Sequence, residues 1–188
     1  MFRDLIKRVC SVLKDNGLPY MIIGGQAVLK YGDPRLTQDV DITLGIAPQD
    51  GDRLLGILDE IQVTPLCDNP ADFLKQTFVL PVKDKVTGIR IDFIFSLTDY
   101  ELRAIERSSL VDFDGLSVNF ISLEDLLVQK LIANRPRDIE DVRNILLKNK
   151  NFDRSYVEKW LNIFDGELDL SSLDTFKAII ASIKCKCL

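Results

Sequence analysis

Ile23-Gly24-Gly25-Gln26, followed fourteen residues after the second glycine by Asp39-Val40-Asp41-Ile42-Thr43-Leu44, is the stretch on which the reading of this chain turns. Tyr20-Met21-Ile22-Ile23 is short, apolar and bounded by Pro19 and Gly24, which predicts a buried strand. Gln26 to Tyr31 fits a short helix closed by Gly32, with Pro34 beyond it. Val40 to Leu44 predicts a second strand. Successive strand side chains alternate faces, so Asp39 and Asp41 point the same way while Val40 and Ile42 enter the core. Two adjacent carboxylates on one side repel unless a cation sits between them. Hard divalent ions such as Mg²⁺ take oxygen ligands and bridge carboxylates to substrate phosphates, so the pairing points to a nucleotide-handling site.

Further along, Ile89-Arg90-Ile91-Asp92-Phe93-Ile94-Phe95 is an apolar strand pattern carrying an isolated acid. An unpaired buried carboxylate is costly, so Asp92 needs a cation, a donor or an exit to solvent. It is a candidate third metal ligand or general base, and the plainer alternative is an ion pair with Arg90 or Arg35. If its strand neighbours the one carrying Asp39 and Asp41, the three acids converge. Three carboxylates and two metal ions supply what phosphoryl or nucleotidyl transfer requires. The Gly24-Gly25 turn opens a helix whose free N–H groups and dipole attract phosphate oxygens. Arg35 and Thr37, just before the second strand, either touch phosphate or cap the turn.

Working outward, Phe2 to Asp15 has a helical apolar period stopped by Asn16-Gly17. Pro48 to Ile61 reads as one amphipathic helix through Leu54, Leu55, Leu58 and Ile61. Gln76 to Val82 and Ile89 to Phe95 read as a hairpin, and Leu110-Val111 with Leu116 to Ile121 as a second one around Asp112-Phe113-Asp114-Gly115. From Ser122 the period is helical, beginning with a cap-like Ser122 and Asp125, and further helices are expected around 139–147, 156–164 and 173–183. Trp160, Phe164 and Phe176 lie at helical spacing and read as core.

The 188 residues, 46% apolar and 28% charged, suit one well-buried domain or a domain with a helical appendage. Net charge is −5, which argues against a broad basic surface wrapping nucleic acid. Histidine is absent, which removes Ser-His-Asp and Cys-His catalysis and imidazole zinc sites. Cys10, Cys67, Cys185 and Cys187 fit no zinc spacing; Cys10 reads as a core residue, and Cys185-Lys186-Cys187-Leu188 only loosely echoes a prenylation signal. No segment reads as a membrane span, and the amphipathic start lacks a signal-peptide core, so a cytoplasmic location is expected.

Taken together, Ile23-Gly24-Gly25, Asp39-x-Asp41 and Asp92 resemble the signature of the nucleotidyltransferase superfamily typified by DNA polymerase beta. The resemblance implies that the three acids bind two Mg²⁺ ions, with Mn²⁺ as an alternative, that the last acid acts as base toward the acceptor hydroxyl, and that the glycine turn holds the triphosphate. A narrower segment, Lys130-x-x-Ala133-x-Arg135-x-Arg137-Asp138-x-x-Asp141, resembles the AbiEii-type abortive-infection nucleotidyltransferases. By that similarity Lys130 contacts nucleotide phosphates, Asp138 or Asp141 completes the site with Arg137 as an accessory residue, and an antitoxin is a partner. Its plain alternative is a solvated helical face with Arg137 and Asp141 paired at i,i+4. The resemblance spans about residues 20 to 145.

The expected fold is α/β in the α+β sense, a small mixed sheet flanked by helices over residues 1–121 with a helical extension, 122–188, packed on it. The expected reaction moves a nucleoside monophosphate from a nucleoside triphosphate to an acceptor hydroxyl, releasing pyrophosphate. A tRNA end, a protein side chain or a small hydroxylated molecule all fit as acceptor. Six basic residues, Lys130, Arg135, Arg137, Arg143, Lys148 and Lys150, offer a grip for a short RNA. The rivals are a non-catalytic regulator that keeps the fold and a nucleotide sensor without turnover.

Overall fold

A short apolar strand flanked by Pro19 and Gly24 becomes the pivot of a seven-stranded mixed sheet. The computed structural model describes residues 1–186, with side chains through residue 183; the Cys185-Lys186-Cys187-Leu188 signal lies outside the described side chains. In chain order the elements are α1 (Phe2–Asp15), β1 (Tyr20–Ile22), α2 (Gly24–Tyr31), β2 (Asp39–Leu44), a 3-10 turn (Pro48–Asp50), α3 (Asp52–Leu55), α4 (Leu58–Ile61), β3 (Val63–Pro65), α5 (Pro70–Thr77), β4 (Val79–Asp84) and β5 (Arg90–Phe95). There follow α6 (Asp99–Glu106), β6 (Ser109–Phe113), β7 (Leu116–Phe120), α7 (Leu123–Ala133), α8 (Pro136–Lys148), α9 (Arg154–Leu168) and α10 (Ser172–Lys186). This is the mixed α/β architecture expected. No described helix is long and apolar enough to cross a membrane.

The chain divides into two compact units, residues 1–26 with 36–121 and residues 27–35 with 122–188. The division falls inside α2, so residues 27–35 group with the second unit. In the first unit the strand order is β3-β4-β5-β2-β1-β7-β6, with β2–β5 and β1–β7 parallel and the other neighbours antiparallel. Val40, Ile42, Leu44, Ile91, Phe93 and Phe95 line the core face, all nearly inaccessible. Each large apolar side chain removed from water contributes about 1.5–3 kcal/mol before chain entropy is subtracted. Cys10 is buried, as expected.

The β4–β5 hairpin is fastened at its closed end. Asp84 is buried; its carboxylate accepts from the backbone N–H and hydroxyl of Thr87 at 2.7 and 2.6 Å and pairs with Arg8 of α1. Arg8 also donates to the Ile61 carbonyl at 3.2 Å. A buried carboxylate with donors on both oxygens meets the requirement for pairing.

In two places the structure departs from expectation. The helix expected over 48–61 is three short pieces separated at Gly51 and at Gly56-Ile57. Its apolar face is nonetheless buried at Leu54, Leu58 and Ile61, and Gly51 is pressed so closely by Leu74 that a Cβ there would stand 2.6 Å from its Cδ1. Gln76 and Thr77, expected in a strand, end helix α5, which starts with Pro70 at its first turn and stops at Phe78 in the left-handed conformation (φ 61°). Strand β3 and helix α6 complete the unit; α6 is opened by a Thr98–Glu101 capping box.

The second unit is a helical bundle in which α7 meets α8, α9 and α10. Ser122 caps α7, accepting from the Asp125 N–H at 3.1 Å and donating to its carboxylate at 2.6 Å. Leu126, Leu131, Val142, Ile145, Val157, Leu161 and Phe176 are buried, while Trp160 and Phe164 are half-buried and stack at 5.9 Å.

Candidate active site

Strands β2 and β5 run in parallel, and their register decides which side chains meet. Asp39 stands opposite Arg90, Asp41 opposite Asp92, and Thr43 opposite Ile94. Partners in register share a face. The alternate pairs Val40–Ile91, Ile42–Phe93 and Leu44–Phe95 are all core, so the remaining face carries the acids. Asp39, Asp41 and Asp92 are thus neighbours on one face, near the start of two adjacent strands, each half-buried.

Strand β1 lies on the other side of β2, with Ile22 opposite Ile42 and the Ile23 N–H donating to the Asp41 carbonyl at 3.0 Å. The chain therefore leaves β1 beside Asp41 and turns at once into α2, whose first residues are the two glycines themselves. Gly24 has φ +60°, and a Cβ on it would stand 1.9 Å from Asp41 Oδ2. Both the backbone conformation and the close approach require glycine. Gln26 Nε2 donates to Thr37 Oγ1 at 2.9 Å, tying the start of α2 to the segment before β2.

Arg90 Nε donates to Asp92 Oδ1 at 2.8 Å. That hydrogen bond raises the guanidinium pKa above its ordinary value against the opposing effect of burial, and the charges of Asp92, Asp39 and Asp41 add to the rise. One cation therefore lies in the field of all three acids. Among the described residues no three acidic, cysteine or histidine side chains are gathered as a metal-holding group. The donor set is nonetheless carboxylate oxygen only, which suits a hard divalent ion, and its field already stabilises positive charge. On those two grounds the residue types suit such an ion, while Asp92 Oδ1 accepts from Arg90 in this structure.

The remaining expected residues lie in the second unit. Lys130 Nζ is 2.5 Å from Asp138 Oδ1 and 3.0 Å from Asp141 Oδ2, and these side chains are 11%, 7% and 6% exposed. Arg35 Nε lies 3.2 Å from Asp141 Oδ1, and Arg135 Nε 2.9 Å from Asp138 Oδ2. Arg35 Nε, Asp138 Oδ2 and Asp141 Oδ2 are in ion-pair range without hydrogen-bond alignment. The stretch is not a solvated helical face: Asp138 and Asp141 are buried and Arg137 is exposed. Of the six basic residues read as an RNA grip, Lys130, Arg135 and Lys148 are engaged by carboxylates of their own unit, Lys148 by Asp33 at 2.6 Å.

Sequence reading passed over Gln26 and Lys83 and met Arg90 only as an ion-pair partner. Strand register finds Lys83, setting it opposite Arg90, while Gln26 is found by its hydrogen bond to Thr37.

A parallel strand pair presenting three acids beside a diglycine helix start defines a nucleotidyltransferase-like class of site. The chain belongs to the family described as nucleotidyltransferase of unknown function (DUF6036), whose model matches residues 2–177. No curated protein matches it in sequence. Its fold is similar to that of the antibiotic-resistance factor ANT(2'')-Ia, with a TM-score of 0.58 and 16% identity over 88% of this chain and 92% of that one. It is similar too to an antigenic nucleotidyltransferase-like protein from Paracoccidioides brasiliensis, with a TM-score of 0.54 and 20% identity over 92% and 93%. The lincosamide antibiotic adenylyltransferase LnuA, solved with lincomycin bound, gives 0.53 and 16% over 76% and 94%. At these identities the likeness is one of fold.

Proposed function

We propose that this nucleotidyltransferase moves a nucleoside monophosphate from a nucleoside triphosphate to an acceptor hydroxyl, with release of pyrophosphate. The observation that carries the reading is the register that pairs Asp41 with Asp92 and sets Asp39 on the same face, with the Gly24 backbone against Asp41. Asp39, Asp41 and Asp92 would hold Mg²⁺, or Mn²⁺, in a two-ion site; when bound, such ions neutralise triphosphate charge and acidify the attacking hydroxyl. Gly24 and Gly25 offer backbone N–H groups to the phosphates at the start of α2, with Thr37 held nearby through Gln26.

Asp92 takes the proton of the acceptor hydroxyl, the acceptor oxygen bonds to the α-phosphorus, and the bond from that phosphorus to the bridging oxygen breaks to free pyrophosphate. Two of the neighbours in fold are an antibiotic-resistance factor and a lincosamide antibiotic adenylyltransferase, which supports a small hydroxylated acceptor; a tRNA end fits the same chemistry. The Lys130 to Asp141 segment supports the narrower kinship with AbiEii-type toxin enzymes, with an antitoxin as partner.

The test is label transfer from α-labelled ATP, GTP, CTP and UTP in a cell lysate. Asp39→Asn should abolish transfer, EDTA should do the same, and excess Mg²⁺ should restore it. Undiminished labelling by a folded Asp39→Asn protein would remove the mechanism.

A further inference from the structure

The sheet of the first unit ends differently on its two sides. Strand β3 is three residues long and closes on Pro65, features that blunt an edge against further pairing. Strand β6 is five residues long, carries neither proline nor lysine, and has β7 on one side and no strand on the other among the described residues. The turn that joins β6 to β7 decides which of its backbone groups face outward. Its two loop residues, Asp114 and Gly115, have φ 53° and 87°, the pattern of a type I′ turn, so Phe113 and Leu116 form the hydrogen-bonded pair that closes it. Hydrogen-bonded and non-hydrogen-bonded pairs alternate from there. Leu110, opposite Asn119, and Asp112, opposite Ser117, therefore turn their N–H and C=O groups away from β7.

The same two residues carry exposed side chains, Leu110 to 68%. Leu110 lines a groove of about 510 Å³ together with Lys14, Leu18, Pro19, Ser117 and Asn119, and no acid lines it. Lys14 is exposed and has no ion-pair partner among the described residues. Asp112 accepts from the Gly115 N–H at 3.0 Å through Oδ1. Cross-strand partners share a face, so an incoming strand that sets an acid opposite Leu110 delivers it to the groove that holds Lys14.

Strand β6 is itself such a strand. Three symmetric antiparallel registers can be drawn for two copies of it. Centring on Asp112 sets two carboxylates directly opposite each other, which is repulsive. Centring on Leu110 carries the pairing out to Ser108, before the strand begins. Centring on Val111 keeps every pair within Ser109–Phe113: Leu110 faces Asp112 of the second copy, Asp112 faces its Leu110, and the outward N–H and C=O groups meet their complements. We propose that two copies of this chain associate through β6, antiparallel and centred on Val111, with Lys14 of each copy paired to Asp112 of the other. The contact lies apart from the candidate acids, since β1 and β7 stand between β2 and β6, and it is independent of the nucleotidyl-transfer reading. It is smaller than a standard interface of about 1,200 Å² or more, so the dimer is reversible and depends on concentration.

Sedimentation velocity on the full chain should show the average mass rising from one chain toward two through the micromolar range. Leu110→Pro removes one outward N–H and no bond to β7, so it should keep the parent's melting temperature yet sediment as a single chain throughout. Lys14→Glu should weaken association by about tenfold or more, since it sets like charges together at two symmetric places, and Lys14→Glu with Asp112→Lys should restore it. Val111 faces itself in a non-hydrogen-bonded pair with Cα atoms about 4.5 Å apart, within disulfide reach, so Val111→Cys should give a covalent dimer on mild oxidation beyond what the parent's own cysteines give. A parent chain that sediments as a monomer at every concentration would overturn the proposal. A dimer that survives Leu110→Pro and leaves Val111→Cys without a cross-link would overturn it too, by placing the contact on another surface.

Discussion

On the sheet of the first unit, Asp39, Asp41 and Asp92 stand half-buried with Arg90 as the cation in their shared field, whereas in the second unit Asp138 and Asp141 are buried and clamped by Lys130, Arg35 and Arg135. The residue types are the same and the electrostatic outcomes differ. Three half-buried carboxylates share the field of one ion-paired arginine at a position water and ions can reach. Two carboxylates sit among three cations in the second unit, and their burial makes the pairing a condition of folding. Charge balance and burial, more than residue type, separate a face that can recruit a ligand from a cluster that holds helices together.

The largest expected effect breaks the comparison from the functional side. Asp41→Asn should lower nucleotidyl transfer about a thousandfold or more, equivalent to roughly 4 kcal/mol in barrier height. Lys130→Ala tests the other region: leaving Asp138 and Asp141 without their shared cation should cost about 3–5 kcal/mol in urea unfolding. If Lys130→Ala unfolds like the parent chain, the clamp is not structural and the contrast fails.

Gly24→Ala is a smaller probe. The added Cβ meets Asp41 Oδ2 at a backbone angle of +60°, so a loss of about 1–3 kcal/mol is expected, with weaker binding of MgATP by calorimetry. The smallest effect sharpens the comparison with a third kind of carboxylate. Asp165 accepts from the Ser172 and Leu173 N–H groups, each at 2.9 Å, and from the Ser172 hydroxyl, and so caps α10. Burial works to raise its pKa, but these hydrogen bonds outweigh burial and lower it. A folded-state pKa below the unfolded value means that the stabilisation is complete above about pH 4 and is lost as pH falls through the lowered folded pKa. Asp165→Asn should cost about 0.5–2 kcal/mol at neutral pH. Thermal melts from pH 7 to pH 2 should bring the parent and variant curves together at the acid end; parallel curves would refute the cap's charge dependence.

Much of the architecture was legible because its signals are local. Gly24-Gly25, the alternation Asp39-Val40-Asp41-Ile42, the turn at Asp114-Gly115 and the Ser122 cap each announce an element within a few residues. The segment 48–61 misled because its apolar spacing is right for a helix, while Gly51 answers to Leu74, more than twenty residues away. Strand β3 is three residues long and contains a proline, too short for a periodic signal. At the candidate site, sequence supplied three acids and a condition, that their strands be neighbours. It named Arg90 as a partner for Asp92, but had no means of showing Arg90 in the field of Asp39 and Asp41, Lys83 opposite Arg90, or Lys130 held by both Asp138 and Asp141, since each depends on how separate segments meet.

The fastening of Asp84 to Thr87 and Arg8 carries a consequence for the length of the loop it closes. Strand β5 shows acid to one side and phenylalanine to the other only because pairing with β4 begins at a fixed residue. Deleting one residue between 84 and 90 would slide that starting point by a single position, sending Asp92 inward and Phe93 out to solvent. A turn remote in sequence from Asp39 and Asp41 thereby acts as the ruler that sets whether the third acid reaches them at all.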